Sequence, residues 1–213
     1  MINWPNIVID DIARRRAVLF LGAGVSKNSL GIDNVSRPPS WMEFLNDGIS
    51  KCTGNTKHIR KLINDGDLLT ACEIIKDKLD EEWFNLLREK FITPQYKPSR
   101  LHESLFKLDL RLVFTYNFDK IYDTYAQSAS NNTIQSKNYY DIDLSRVLRG
   151  DNRAIVKVHG TIDEPSQMIF TRKEYIQARH KNHTFYTILD ALTITHTFIF
   201  VGCGLSDPDV QLF

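Results

Sequence analysis

Cysteine is scarce and scattered. The three thiols, Cys52, Cys72 and Cys203, are odd in number, far apart and form no C-x-x-C pair. Neither a disulfide framework nor a zinc ribbon is indicated, and this usage suits a reducing cytoplasm. No apolar run approaches the roughly 18–20 residues that a bilayer span needs. The first residues hold Trp4, Pro5, Asp10 and Asp11 and lack the basic-then-apolar order of a secretory leader. An excess charge of one sign is missing too. With 27 basic and 26 acidic residues the net charge is +1, which singles out no nucleic acid, membrane surface or acidic ligand as a partner. Arg14-Arg15-Arg16 is a local exception and reads as a solvated helix end. Internal repeats and low-complexity segments are also absent.

What is present is ordinary for a globular chain. Its 213 residues, 42% hydrophobic and 25% charged, suffice for one substantial core and a small second lobe. The organising stretch is 17–26, Ala17-Val18-Leu19-Phe20-Leu21-Gly22-Ala23-Gly24-Val25-Ser26. Its apolar half is continuous rather than alternating, as in a strand buried on both faces of a parallel sheet. Its glycines suit a tight turn where backbone N–H groups approach a phosphate with no Cβ in the way. The third glycine of G-x-G-x-x-G is missing, because Lys27 stands there. Taken alone, the stretch fits the floor of a dinucleotide pocket and a plain strand-to-helix turn about equally.

Around it the chain predicts alternating elements. A short helix lies within 2–16, and 28–40 is a loop containing Gly31, Pro38 and Pro39. Ser40 with Glu43 forms a capping box ahead of a helix carrying Trp41, Phe44, Leu45 and Ile49. From 56 to 91 the pattern is helical, broken near Gly66, and its apolar stripes read as core. A short helix follows at 101–108. Strands are expected at 111–115, 154–158 and 195–201, with a short strand centred on Ile134 and another at 167–171. Helices are expected at 120–128 and, as one or two segments, at 172–194. The segment 41–108 sits where a simple dinucleotide-binding repeat has its second strand, and so reads as a helical insertion or small lobe.

Four apolar strands end in small or polar residues: Gly22-Ala23-Gly24-Val25-Ser26, Thr115-Tyr116-Asn117-Phe118-Asp119, His159-Gly160 and Gly202-Cys203-Gly204. In an open parallel sheet the ligand crevice lies at the carboxyl ends of the strands, so these groups converge. The two glycine turns offer backbone donors, and Asn117 and Asp119 offer hydrogen bonds to a hydroxyl- or amide-bearing ligand. His159 is the natural general base. No activated serine or cysteine is evident. His58, His102 and His196 are isolated and read as surface or satisfied core residues. His180 and His183 are three apart on an expected helix, but no acidic or cysteine partner stands nearby, and a solvated face accounts for them. No metal site is expected.

In this order, and together with Lys157-Val158-His159-Gly160 and Gly202-Cys203-Gly204-Leu205-Ser206-Asp207-Pro208, the motifs resemble the sirtuin-like domain of bacterial anti-phage NAD-consuming proteins. The resemblance spans almost the whole chain. It implies an α/β fold, a Rossmann-like parallel sheet flanked by helices, with 41–108 in place of a zinc module. It implies NAD as substrate. The cofactor-binding set would be Gly22, Ala23, Gly24, Ser26, Thr115, Asp119, Gly202, Cys203, Gly204 and Asp207. Within it, the first glycine loop and Ser26 would hold phosphates, Asp119 the nicotinamide carboxamide, and Gly202 to Gly204 the adenosine side. Asn117 would position the nicotinamide ribose or the attacking water, and His159 would act as base. Tyr116, Phe118 and Gly204 depart from the family's usual residues. The Asp-Phe-Arg run of its deacetylase loop is not recognisable after Gly31, and the four-cysteine zinc module of deacetylating sirtuins is absent.

The activity implied is NAD hydrolysis to nicotinamide and ADP-ribose, in anti-phage defence. NAD-dependent protein deacylation and non-catalytic sensing of NAD or ADP-ribose are the alternatives. A dehydrogenase is disfavoured by the lack of an acidic residue ending a recognisable second strand. Asp207-Pro208 reads as a helix start with Val210, Leu212 and Phe213 on its apolar side and no stop signal. The expectation is that 1–213 is the NAD-binding catalytic domain at the N-terminal side of a longer cytoplasmic protein. That protein would form homo-oligomers and be controlled by a C-terminal domain or a partner.

Overall fold

A computed structural model describes residues 3–150 and 152–204. Five parallel strands form one sheet: β1 (Ala17–Leu21), β2 (Leu112–Thr115), β3 (Gln135–Asn138), β4 (Ala154–Lys157) and β5 (Thr197–Val201), in the order β3-β4-β2-β1-β5. Every residue of β1, β2 and β4 is buried, which is why these strands are uninterrupted apolar runs. Lys157, at the end of β4, is the informative exception. All five carboxyl ends point the same way, so the strand ends expected to converge do so.

Helices cover both faces. They are α1 (Asn6–Ala13), α2 (Ala23–Ser26), α3 (Trp41–Lys51), α4 (Lys57–Asn64), α5 (Leu68–Leu79), α6 (Glu81–Phe91), α7 (Arg100–Phe106), α8 (Ile121–Ala129), α9 (Leu144–Arg149), α10 (Arg172–Lys181) and α11 (His183–Thr195). Because strand side chains alternate, Val18, Phe20, Leu112, Phe114, Ala154 and Val156 face α9, α10 and α11 through Leu144, Leu148, Ala178, Phe185 and Leu189. Ala17, Leu19, Leu21, Val113 and Ile155 face α7 and α8 through Leu105, Tyr122 and Ala126. A third core belongs to α3–α6, where Phe44, Leu45, Ile75, Trp83 and Leu86 pack on Ile162, Met168 and Phe170. The lobe therefore sits over the carboxyl end of the sheet, while α7 belongs to the sheet's own layer. Among the described residues no helix is long and apolar enough to cross a membrane.

Several local expectations change. The apolar run at 167–171 is not a strand. Pro165–Gln167 is a 3-10 turn, and the buried Met168, Ile169 and Phe170 run extended between the lobe and the sheet. Among the described residues their backbone joins no strand: the Ile169 N–H donates to the His159 carbonyl (3.1 Å) and the Phe170 N–H to the Glu174 carboxylate (2.8 Å). Ile134 precedes β3 rather than centring it, and α9 was not foreseen. His180 and His183 fall on different helices, parted at Asn182. The capping box of Ser40 and Glu43 forms as read. The expected helix from Asp207 lies outside the described residues.

Candidate active site

The glycines of the first turn serve a backbone-to-backbone clamp. The Gly22 N–H donates to the Val201 carbonyl at 3.0 Å, and the Gly24 N–H to the Gly202 carbonyl at 2.9 Å. A Cβ on Gly22 would lie 2.5 Å from the Gly202 oxygen, and one on Gly24 2.8 Å from the Gly202 Cα. Gly202 itself has φ +70°, and its Cβ would sit 2.5 Å from the Val25 nitrogen. The ends of β1 and β5 meet this closely only because neither carries side chains there. Two of the turn's donors are consumed in the clamp. The N–H of Ala23, at the start of α2, has no partner among the described residues.

The end of β2 is locked onto that clamp. Thr115 Oγ1 donates to the Leu21 carbonyl (3.1 Å) and accepts the Asn117 N–H (3.0 Å), so Thr115 lies beneath the crevice as a turn former. The Asn117 side-chain amide nitrogen donates to the Gly22 carbonyl (2.9 Å) and to Ser26 Oγ (3.0 Å). Ser26 Oγ donates in turn to Asp119 Oδ2 at 2.7 Å, and Asp119 Oδ1 accepts the Ile121 N–H at 3.0 Å. Ser26 and Asp119 are both buried. With both amide hydrogens committed, Asn117 has its carbonyl oxygen left to offer a ligand hydroxyl or a water. Beneath the loop, Lys157 Nζ donates to the Asp119 carbonyl (2.5 Å) and to Asp123 Oδ2 (2.9 Å). Both side chains of this ion pair are buried.

His159 follows β4, and the turn after it needs Gly160 at φ +79°, where a Cβ would strike the Gln167 carbonyl. The imidazole is half-buried, packs 5.1 Å from the Tyr116 ring, and has the Tyr175 hydroxyl 2.8 Å from its Nε2.

These groups share one crevice of about 500 Å³, inside the ~300–1,000 Å³ usual for small-molecule sites. Its floor is polar and its opposite wall is the aromatic end of the lobe. Trp41 stacks on Phe170 (5.6 Å, 9°) and on Phe44 (5.7 Å, 15°), and Phe118 meets Phe91 edge-on at 4.6 Å. Pro38, Pro39 and Ser40 close the rim, so the loop expected at 28–40 does border the crevice. That loop is tied down: Arg37 donates to the Lys27 carbonyl (3.0 Å), and Lys27 Nζ meets Glu43 at 2.8 Å. The hydrogen bond from Lys27, with those from Ser40, holds the Glu43 carboxyl down at about 2. The position that the third glycine would occupy is thus a cationic tether on the crevice wall.

Of the residues singled out from sequence, Gly22, Ala23, Gly24, Ser26, Asn117, Asp119, His159, Gly202 and Gly204 line this crevice. Cys203 turns away, its thiol toward the Phe20 and Val201 carbonyls at 3.8 Å each. Asp207 lies outside the described residues. Sequence reasoning missed Tyr175, one residue beyond a capping box and otherwise unmarked. It also placed Trp41 and Phe44 on a helix without assigning them to the site, whereas both pack in the lobe core and line the crevice.

With this geometry in view, residues 111–213 match the family model described as a SIR2-like domain. The chain is 25% identical over 203 residues to a protein of Enterococcus faecium named NAD(+) hydrolase ThsA, covering 94% of this chain and 39% of that one. It is 22% identical over 195 residues to a protein of the same name from Cytobacillus dafuensis, covering 92% and 36%. It is 20% identical over 202 residues to the Defense-associated sirtuin 2 of Bacillus subtilis, covering 92% and 19%. The chain therefore spans well under half the length of these curated relatives.

Proposed function

We propose that this chain, whose residues 111–213 match the SIR2-like family model, binds NAD in the crevice and hydrolyses the nicotinamide–ribose bond. The observation that carries this reading is the placement of Asn117 and His159. They follow adjacent strands, β2 and β4, and line one crevice with the glycine clamp. Ligand binding alone needs no such pairing of an oriented amide oxygen with a titratable imidazole. The relatives' printed names support the same chemistry.

Bound there, NAD supplies a glycosidic bond whose leaving group departs as neutral nicotinamide. The chain's residues supply the rest. The glycine turn allows the diphosphate close backbone approach and offers it the open Ala23 N–H, while Lys27 stays tethered to Glu43 on the crevice wall. The aromatic wall excludes water and gives flat surfaces to a planar ring. Asn117, fixed through Ser26 and the Gly22 carbonyl, directs its oxygen at the nicotinamide ribose or the attacking water, and His159 accepts the proton released. Asp119 contacts the crevice through a carboxylate already engaged by Ser26. Gly204 stands on the β5 side of the same crevice, where the resemblance puts the adenosine. Residues 1–213 act as the NAD-cleaving domain of a longer cytoplasmic defence protein, one that assembles into homo-oligomers and is held off by a further domain or partner until triggered. Depletion of NAD is its output.

Incubation of the intact protein with NAD, with products separated by chromatography, tests the reading. Equal release of nicotinamide and ADP-ribose is expected without any acylated peptide. Asn117→Ala and His159→Ala should each lower turnover by ~10²-fold or more while the fold is retained. Turnover at the parent rate in either variant contradicts the assigned roles.

A further inference from the structure

His159 shares its Nε2 with a second side chain. Tyr175 Oη lies 2.8 Å away, and the two rings meet edge to face with centroids 5.2 Å apart at 86°. Both residues line the crevice. The phenol comes from a firmly held turn. Thr171 Oγ1 accepts the Glu174 N–H (3.2 Å), and one Glu174 carboxylate oxygen accepts the Phe170 and Thr171 N–H groups at 2.8 and 3.0 Å. The other oxygen meets Lys76 of α5. Tyr175 is the next residue, so the start of α10 presents its hydroxyl from a point tied both to the 168–171 segment and to the lobe. His159 is held from its own side by its carbonyl on the Ile169 N–H and by the Tyr116 ring.

We infer that Tyr175 is a further catalytic residue, the hydroxyl through which His159 acts on the reaction proposed above. An imidazole nitrogen carries one proton or one lone pair, so Nε2 engaged with Oη takes no proton from a second oxygen at the same moment. The contact fits either ring tautomer. We take the one with Nε2 unprotonated, in which the phenol donates to Nε2 and accepts from a water in the crevice. In that tautomer the order is water, Tyr175, His159. As the water oxygen bonds to the anomeric carbon, the glycosidic electron pair leaves with nicotinamide. The water proton passes to Tyr175 Oη and the phenol proton to His159 Nε2. Phenol and imidazolium remain, and the imidazolium returns its proton to solvent. The reaction's identity rests on the cleavage reading, whereas the pairing of the two side chains does not.

Tyr175→Phe removes only the hydroxyl. In the intact protein it should leave the unfolding midpoint near the parent's and KM for NAD within about threefold, while kcat falls by ~10²–10⁴-fold. Adding His159→Ala to Tyr175→Phe should cost little more than either alone, as for residues that work as a unit. Parent-level or raised turnover in Tyr175→Phe overturns the inference, the second result marking the phenol as a plug. Losses that multiply in the double variant overturn it as well. If the parent protein releases no nicotinamide, the cleavage reading falls, and the ¹⁵N signals of the His159 ring decide on the pairing. A displaced Nε2 signal in Tyr175→Phe sustains it and an unchanged one overturns it.

Discussion

The hydroxyl of Ser26 donates to the carboxylate of Asp119 at 2.7 Å and accepts the side-chain amide of Asn117 at 3.0 Å. A hydroxyl has a single proton, and here it is spent on Asp119. This arrangement suits Ser26 to setting the angle of Asn117, whereas the family resemblance implies a grip on the phosphates, and the two roles predict different kinetics. Ser26→Ala should then lower kcat for NAD cleavage by ~10-fold or more through a displaced Asn117, with KM changed less than threefold. It should also cost ~1–3 kcal/mol of stability, because an amide hydrogen and a carboxylate oxygen lose their partner. Steady-state kinetics with a urea titration separate the two views. A raised KM with kcat kept would return Ser26 to the phosphate.

Legibility followed burial. β1, β2 and β4 lie in the interior of the sheet, so both faces demand apolar side chains and the runs announce themselves. β3, Gln-Ser-Lys-Asn, is an edge strand, half-buried and polar throughout, and nothing in its pattern distinguishes it from loop. Met168-Ile169-Phe170 is as apolar as a strand, but its burial comes from the lobe and α10, which the local sequence does not reveal. Asn117 and His159 were readable because each directly follows a readable strand. Tyr175 lies 16 residues beyond His159 and reaches it only through the tertiary fold. The glycines were readable as a turn, but their main use, the approach of Gly22 and Gly24 to Gly202, pairs strands at opposite ends of the chain.

Lys157 would ordinarily be expected to reach solvent, yet it is buried with Asp123, and its ammonium also holds the Asp119 carbonyl. Removing one partner of such a pair strands a charge, whereas removing both does not. Lys157→Met should destabilise the fold by ~3–5 kcal/mol. Lys157→Met combined with Asp123→Leu should recover most of that loss in stability. The double variant should still cleave NAD poorly, because the Asp119 carbonyl has lost its donor and the loop carrying Asn117 its anchor. Denaturant unfolding of the three proteins, with kinetics of the double variant, checks both halves. A double variant no more stable than Lys157→Met would show that the carbonyl contact, and not the ion pair, supports the fold.

The last prediction concerns pH. His102 in α7 is fully enclosed, its Nδ1 accepts the Ser99 N–H at 3.1 Å, and its Nε2 has no partner among the described residues. Burial alone pushes its pKa down from 6.5 to about 4. The neutral ring is thus the folded form, and the unfolded chain binds the proton first as pH falls. Stability from this residue is intact above about pH 6.5 and declines as pH drops toward 4, by up to ~3 kcal/mol at the lower end. Protonation would also destroy the acceptor that caps α7, so the loss falls on a helix packed with α8 against the sheet. His102→Asn retains an acceptor for the Ser99 N–H but has nothing to titrate in that window. Urea midpoints from pH 7 to 4 should therefore fall more steeply in the parent than in His102→Asn, a comparison that cancels the carboxylates common to both. Parallel pH profiles would mean that the ring gains a proton-stabilising partner as it charges, and that its enclosure does not govern the acid limb.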